Sequence, residues 1–261
     1  MGKRVYIALA VFTVALVGVI FWQVAQLHET EPLYQGKPLS EWLKACSGTD
    51  DPEKLDGADE AVRQAGTNAL PILLRMLRAK HSALELKLLG WAKRQHVIRI
   101  EARPVTEWNQ IAAHGFFVLG AKAQSAAPAL TEIANRNISC SSQLSAIQAL
   151  GGIGPSAKIA VSSLLRWSTN ADRMVRFHAV ETLGKIHVEP SRVVPALRDM
   201  LHDPDSFVRS GVVEALGEFG ADAKIATPAL VEFLNEPQNS MFRRWAIDAI
   251  DPAAAAKAGV K

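Results

Sequence analysis

Four apolar stretches of this chain end in Leu-Gly, at Leu119-Gly120, Leu150-Gly151, Leu183-Gly184 and Leu216-Gly217, at steps of 31, 33 and 33 residues. A degenerate copy, Ile250-Asp251, follows 34 residues later. A period of this length is the mark of a unit made of one helical hairpin. Such a unit cannot bury its apolar face alone, so neighbours must stack. The 261 residues then make a row of units rather than two globular domains. The expectation is an all-α chain, an α-solenoid of helical hairpins.

The clearest copy runs Val194-Pro-Ala-Leu-Arg-Asp-Met-Leu, then His202-Asp-Pro-Asp-Ser-Phe, then Val208-Arg-Ser-Gly-Val-Val-Glu-Ala-Leu-Gly-Glu-Phe-Gly. Proline opens the first helix, where the missing N–H has no intrahelical partner to lose. Pro128, Pro195 and Pro228 hold this place, with Val161 in the second copy. The second helix carries Val208, Val212, Ala215, Leu216 and Phe219 at i, i+4, i+7, i+8 and i+11, one apolar stripe. Gly217 falls where a neighbouring helix must approach closely, and Gly220 ends the helix.

Pro-x-Leu, an acidic turn, Val-Arg and Ala-Leu-Gly together resemble the HEAT-repeat family, including the variety first described in phycobilin lyases. The resemblance covers about Val105 to Ile250, with a weaker unit before it. It implies that a turn acid and an Arg six residues on bond between successive repeats. The pairs here are Asp203/Arg209 and Asn170/Arg176, with Asn137/Gln143 a neutral variant and Arg243 facing Pro237. The opening Tyr34-Gln-Gly-Lys-Pro-Leu-Ser-Glu-Trp-Leu is also similar to the lead-in of many exported bacterial HEAT proteins.

The N-terminus sets the compartment. Lys3-Arg4 precede Val5 to Trp22, a stretch without a charged residue. Its length matches the roughly 20 residues that a helix needs to cross a bilayer core. Cations before it place the N-terminus in the cytoplasm and the rest outside, periplasmic in a Gram-negative cell. A cleaved signal peptide is the competing reading: Ala25 fits a cleavage site, but Gln23 takes a position that should be small. No cysteine near the span offers a lipid anchor, and Cys46 and Cys140, several hairpins apart, read as two separate thiols. The organisation is 1–25 as transmembrane anchor, 26–57 as tether and lead-in helix, 58–104 as irregular helical cap, and 105–261 as regular solenoid. Within the lead-in, Ser40 reads as a helix cap and Ser47 to Gly57 as a loop.

Catalytic motifs are missing: there is no Gly-x-Ser-x-Gly, P-loop, Cys-x-x-Cys or His-Glu-x-x-His. His178 and Glu181 share a helix face at i, i+3, yet a di-iron site needs matching pairs on facing helices. HEAT-type deoxyhypusine hydroxylases use His-Glu pairs in several repeats, and the one His-Glu here, His28-Glu29, lies in the tether. No metal, cofactor or catalytic residue is therefore expected. Net charge is +3, from 29 basic and 26 acidic residues, without the concentrated basic face that nucleic acid requires. Arg176, Arg209 and Arg243 form a row, but Glu181, Glu214 and Asp248 line up one turn on and would repel phosphates.

What remains is a surface for a protein or peptide. In HEAT proteins the second helices line the concave side. Aligned on Leu-Gly, Phe117, Gln148, Glu181, Glu214 and Asp248 form one row, and Leu144, Phe177, Ser210 and Arg244 the row one turn earlier. His178 joins them as a candidate contact. Apolar early repeats and acidic later ones suit an extended peptide or helix with some basic residues. The reading is a membrane-anchored extracytoplasmic HEAT scaffold. The alternatives are a HEAT-type enzyme, lyase-like or hydroxylase-like, and a structural spacer of the envelope.

Overall fold

The computed structural model describes residues 31–46, 51–79, 105–235 and 250–251. They group into two compact units, Met1–Ile72 and Leu73–Lys261. The expected membrane span, Val5 to Trp22, and the run Ser82 to Ile100 lie outside the described residues. Among those described, no helix is long and apolar enough to cross a membrane.

The first unit opens on a two-stranded antiparallel hairpin, β1 (Leu33–Tyr34) and β2 (Lys37–Pro38), where the sequence reads as a tether. Gln35 and Gly36, at φ +49° and +75°, form the two-residue left-handed turn that matches strand twist. Helix α1 (Leu39–Ala45) follows at once, and Ser40 is not its cap. Pro38 holds the cap position, and the Glu31 carboxylate accepts the Ser40 amide at 3.3 Å. The tight turn brings Glu31 back to the helix start, where its carboxylate serves the second amide of the helix in place of a capping side chain. Trp42 is anchored by its indole N–H, which donates to the Tyr34 carbonyl at 3.0 Å. Helix α2 (Pro52–Ala65) starts inside the expected loop, because Asp51 caps it through the Glu53 amide and Pro52 is its first residue. Leu39 and Leu43 of α1 and Ala58, Ala61 and Val62 of α2 are buried. A 3-10 turn (Gly66–Ala69) leads to α3 (Leu70–Leu77), which belongs to the second unit from Leu73 on.

The second unit is a run of helical hairpins. Its second helices are α4 (Val105–Leu119), α6 (Cys140–Ile153), α8 (Arg173–Ile186) and α10 (Ser206–Phe219). Its first helices are α5 (Ala127–Arg136), α7 (Val161–Trp167), α9 (Pro190–Asp199) and α11 (Thr227–Asn235). Second helices pack in series, α4 on α6 on α8 on α10. Side-chain oxygens of Ser139, Asp172 and Asp205 cap α6, α8 and α10.

The helix ends reset the register of the first copy. Helices α4, α6, α8 and α10 stop at Gly120, Gly154, His187 and Gly220, with φ of +53°, +70°, +48° and +49°. These left-handed stops are spaced 34, 33 and 33 residues (154−120, 187−154, 220−187). Gly120 is therefore the counterpart of Gly154, and Phe116-Phe117 is the counterpart of Leu150-Gly151. The step of 31 came from matching a helix stop to a helix interior. The same count gives the proline place of the second copy to Ser162, not Val161 (195−33).

After three of these stops come seven-residue 3-10 connectors, Gly120–Ala126, Gly154–Ala160 and Gly220–Ala226. Each buries two alanines three apart, Ala123 and Ala126, Ala157 and Ala160, Ala223 and Ala226. In a 3-10 helix such residues eclipse, so both methyl groups point into the core; in Gly154–Ala160 a kink at Ala157, with φ −89° and ψ 20°, interrupts the helix. Gly184, one repeat before the Gly217 at which close approach is expected, lies against the next second helix. A Cβ on Gly184 would lie 2.9 Å from the Cα of Ala215 on the next second helix.

Candidate functional site

Counting back from the left-handed stops defines two columns, one structural and one facing outward. The residues eleven before each stop are Asn109, Gln143, Arg176 and Arg209. Each donates to backbone carbonyls in or near the turn before its helix. Asn109 reaches Met76 at 2.8 Å and Leu77 at 3.2 Å, and Gln143 reaches Ala134 at 3.0 Å. Arg176 reaches Asn170 and Ala171 at 3.0 and 3.1 Å; Arg209 reaches Asp203 and Pro204 at 2.8 and 3.2 Å. Helical side chains lean toward the N-terminus, which aims these donors at the preceding turn.

The turn acid and the Arg do bond between successive repeats, but the partners within the expected pair Asp203/Arg209 need correction: Arg209 meets the Asp203 carbonyl, while the Asp203 carboxylate belongs to Arg176 one repeat earlier. Nε and Nη2 of Arg176 form a two-pronged bond to it at 2.8 and 2.9 Å. Asn170 likewise offers Arg176 its carbonyl, while its side chain accepts the Asp172 amide at 2.9 Å. The cleft of about 330 Å³ beside Asp203 and Arg209 is thus walled partly by this ladder.

The outward column, six before each stop, is His114, Gln148, Glu181 and Glu214. His114, not Phe117, is the first member, and His114, Gln148 and Glu214 are exposed. Phe117 takes the place of the Leu-Gly glycines and is 66% exposed, its backbone covering Gly152. Leu144 and Phe177 are half-buried members of the column one turn earlier. Arg244 and Asp248 lie outside the described residues.

His178 and Glu181 are engaged with the protein itself. Nδ1 of His178 lies 3.1 Å from one oxygen of Glu181, and Lys185 donates to the other at 2.6 Å. The hydrogen bond from His178, with Lys185 adding its own, holds the Glu181 carboxyl down at about 2. Since the ionised carboxylate only accepts, Nδ1 is the donor. A depressed carboxyl stabilises the fold above its ordinary value of 4.5, and that contribution is lost as pH falls toward 2. Glu181→Gln is therefore expected to flatten the acid limb of stability in this window. The loss at pH 7 should be about 1–2 kcal/mol, less than the full shift implies because the group is partly solvated. Parallel pH titrations of urea midpoints for the two proteins check this; superimposable acid limbs would contradict it.

The sequence reading missed Phe207, which is 47% exposed and stacks on Phe177 with ring centroids 4.1 Å apart. An aromatic residue in the first turn of a second helix was its only signal. Among the described residues, no three His, Cys, Asp or Glu side chains converge as a metal site.

A family model described as HEAT repeats matches residues 187–251. The crystal structure of an engineered protein from a structural genomics consortium is similar at 19% identity, TM-score 0.42, covering 85% of this chain and 97% of its own. A designed armadillo repeat protein, solved with a (KR)4 peptide, is similar at 16% identity, TM-score 0.49, covering 85% and 99%. No curated protein matches the sequence. The matched segment contains α9 to α11, so residues 187–251 carry HEAT repeats, and the same helix pair recurs at this spacing back to α4.

Proposed function

We propose that the protein is a membrane-anchored, extracytoplasmic scaffold whose second-helix face binds a protein or peptide and performs no catalysis. One observation carries the binding role: large apolar side chains, Phe117 and Phe207, stand exposed on the second helices beside charged and amide groups. Aromatic residues held in the open beside polar neighbours are what partner surfaces use as anchors. The membrane role rests on Lys3-Arg4 and the uncharged stretch Val5 to Trp22.

Site-specific photocrosslinking in the native cells tests the face. A crosslinker at Ser210, on the second-helix face, is expected to capture a discrete partner; one at exposed Glu132, on a first helix, is not. Capture at Glu132 alone would move the binding surface elsewhere. For topology, alkaline phosphatase fused after Lys261 should be active. An inactive fusion would place the repeats in the cytoplasm.

A further inference from the structure

Resting on that reading of the second-helix face, we infer that α8 and α10 take a basic peptide segment with an aromatic or large aliphatic anchor. Phe177 and Phe207 form the platform for the anchor, and Glu214 and Glu218 receive its Lys or Arg side chains.

The platform is built before any ligand arrives. Phe177 lies against the backbone of α10 because Gly211 has no Cβ; one placed there would sit 2.9 Å from the Phe177 ring. The His178 ring meets Phe177 edge-on at 5.2 Å, and Phe207 stacks on Phe177, tilted by 23°. Rings fixed by such contacts lose little freedom when a ligand binds, so their exposed area is available for recognition.

Charge selects the occupant. Glu214 and Glu218 follow Phe207 by seven and eleven residues on the same side of α10, about 10 and 17 Å along its axis. Both are exposed, and neither is paired with a cation among the described residues. Two neighbouring charged groups are already engaged. Glu181 is bonded to His178 and Lys185, and Arg173 pairs with Asp205 at 3.2 Å. The face is thus apolar at the start of α10 and singly acidic further along, which complements an anchor followed by cations. Arginine fits best, since its guanidinium both stacks on aromatic rings and forks onto carboxylates.

Panning a random dodecapeptide display library against the full chain in detergent tests this. Enriched peptides are expected to combine Trp, Phe, Tyr or Leu with at least two Lys or Arg. Synthetic copies should lose about tenfold in affinity on Phe207→Ser, and again on Glu214→Lys/Glu218→Lys. Roughly 0.5 M salt should weaken them similarly by screening. Glu132→Lys should change nothing, and unchanged helical circular dichroism shows that the variants fold. Enrichment of acidic or uncharged peptides, no enrichment, or peptides indifferent to both face variants overturns the inference. A crosslink at Ser210 in cells would then still stand, so failure of the charge preference is distinguishable from failure of the scaffold reading.

Discussion

Leu216→Ala is expected to lower the unfolding free energy by about 2–5 kcal/mol, from the lost transfer energy of the side chain and the cavity left behind. Leu216 is fully buried, and so are its counterparts four residues before each helix stop, Phe116, Leu150 and Leu183. The upper half of the range is favoured by the packing beside it. The backbone of Gly184 lies so near Ala215 that α8 and α10 are already in contact and cannot close over a void. Leu144→Ala is the control, since Leu144 is half-buried on the outward side of α6 and its truncation leaves no enclosed cavity. Its expected cost is below about 1.5 kcal/mol. Urea midpoints with unchanged slopes measure both. A larger loss at Leu144 than at Leu216 would mean that the buried stripe is wrongly placed.

That stripe was legible because burial imposes a period. Val208, Val212, Ala215, Leu216 and Phe219 repeat at helical spacing, and all five are buried. Features that rest on backbone conformation were less readable. Gly120 and Gly151 are the same residue in the same dipeptide, but one is a left-handed stop and the other an interior contact. Only φ separates them, so the first copy slid by three residues and Phe117 entered the wrong column. The connectors hid for a related reason: Gly-Ala-Asp-Ala-Lys-Ile-Ala reads as a loop unless its alanines are known to eclipse. Phe207 was passed over because its exposure depends on how α8 and α10 stack, which no single-helix pattern encodes. The charges posed the opposite problem. Spacing within one repeat paired Asp203 with Arg209, whereas the carboxylate is taken by a residue 27 positions earlier. A sequence period shows that a ladder exists, not which rung each side chain reaches.

The rung itself should be the second large energetic feature. Asp203→Ala is expected to cost about 2–4 kcal/mol, because it strands a guanidinium that is nearly buried. Arg176 and Asp203 side chains are only 12% and 8% exposed, and both prongs of their bond are short. Asp203 also accepts the Asp205 amide at 2.9 Å, so part of the loss is a weakened turn rather than a lost ion pair. A double-mutant cycle separates the two contributions. Arg176→Met keeps the aliphatic stem and removes the charge. Its coupling with Asp203→Ala should exceed about 1 kcal/mol, as expected for residues in direct contact. The same cycle between Asp203→Ala and Arg209→Met should give a smaller coupling, since Arg209 bonds to the Asp203 carbonyl, which alanine retains. Salt offers an independent check: roughly 1 M should leave the Arg176 coupling nearly intact, whereas an exposed pair such as Arg136 with Glu132 should weaken. If Asp203 couples more strongly to Arg209 than to Arg176, the ladder runs within repeats, and the acid six residues before the Arg is its partner after all.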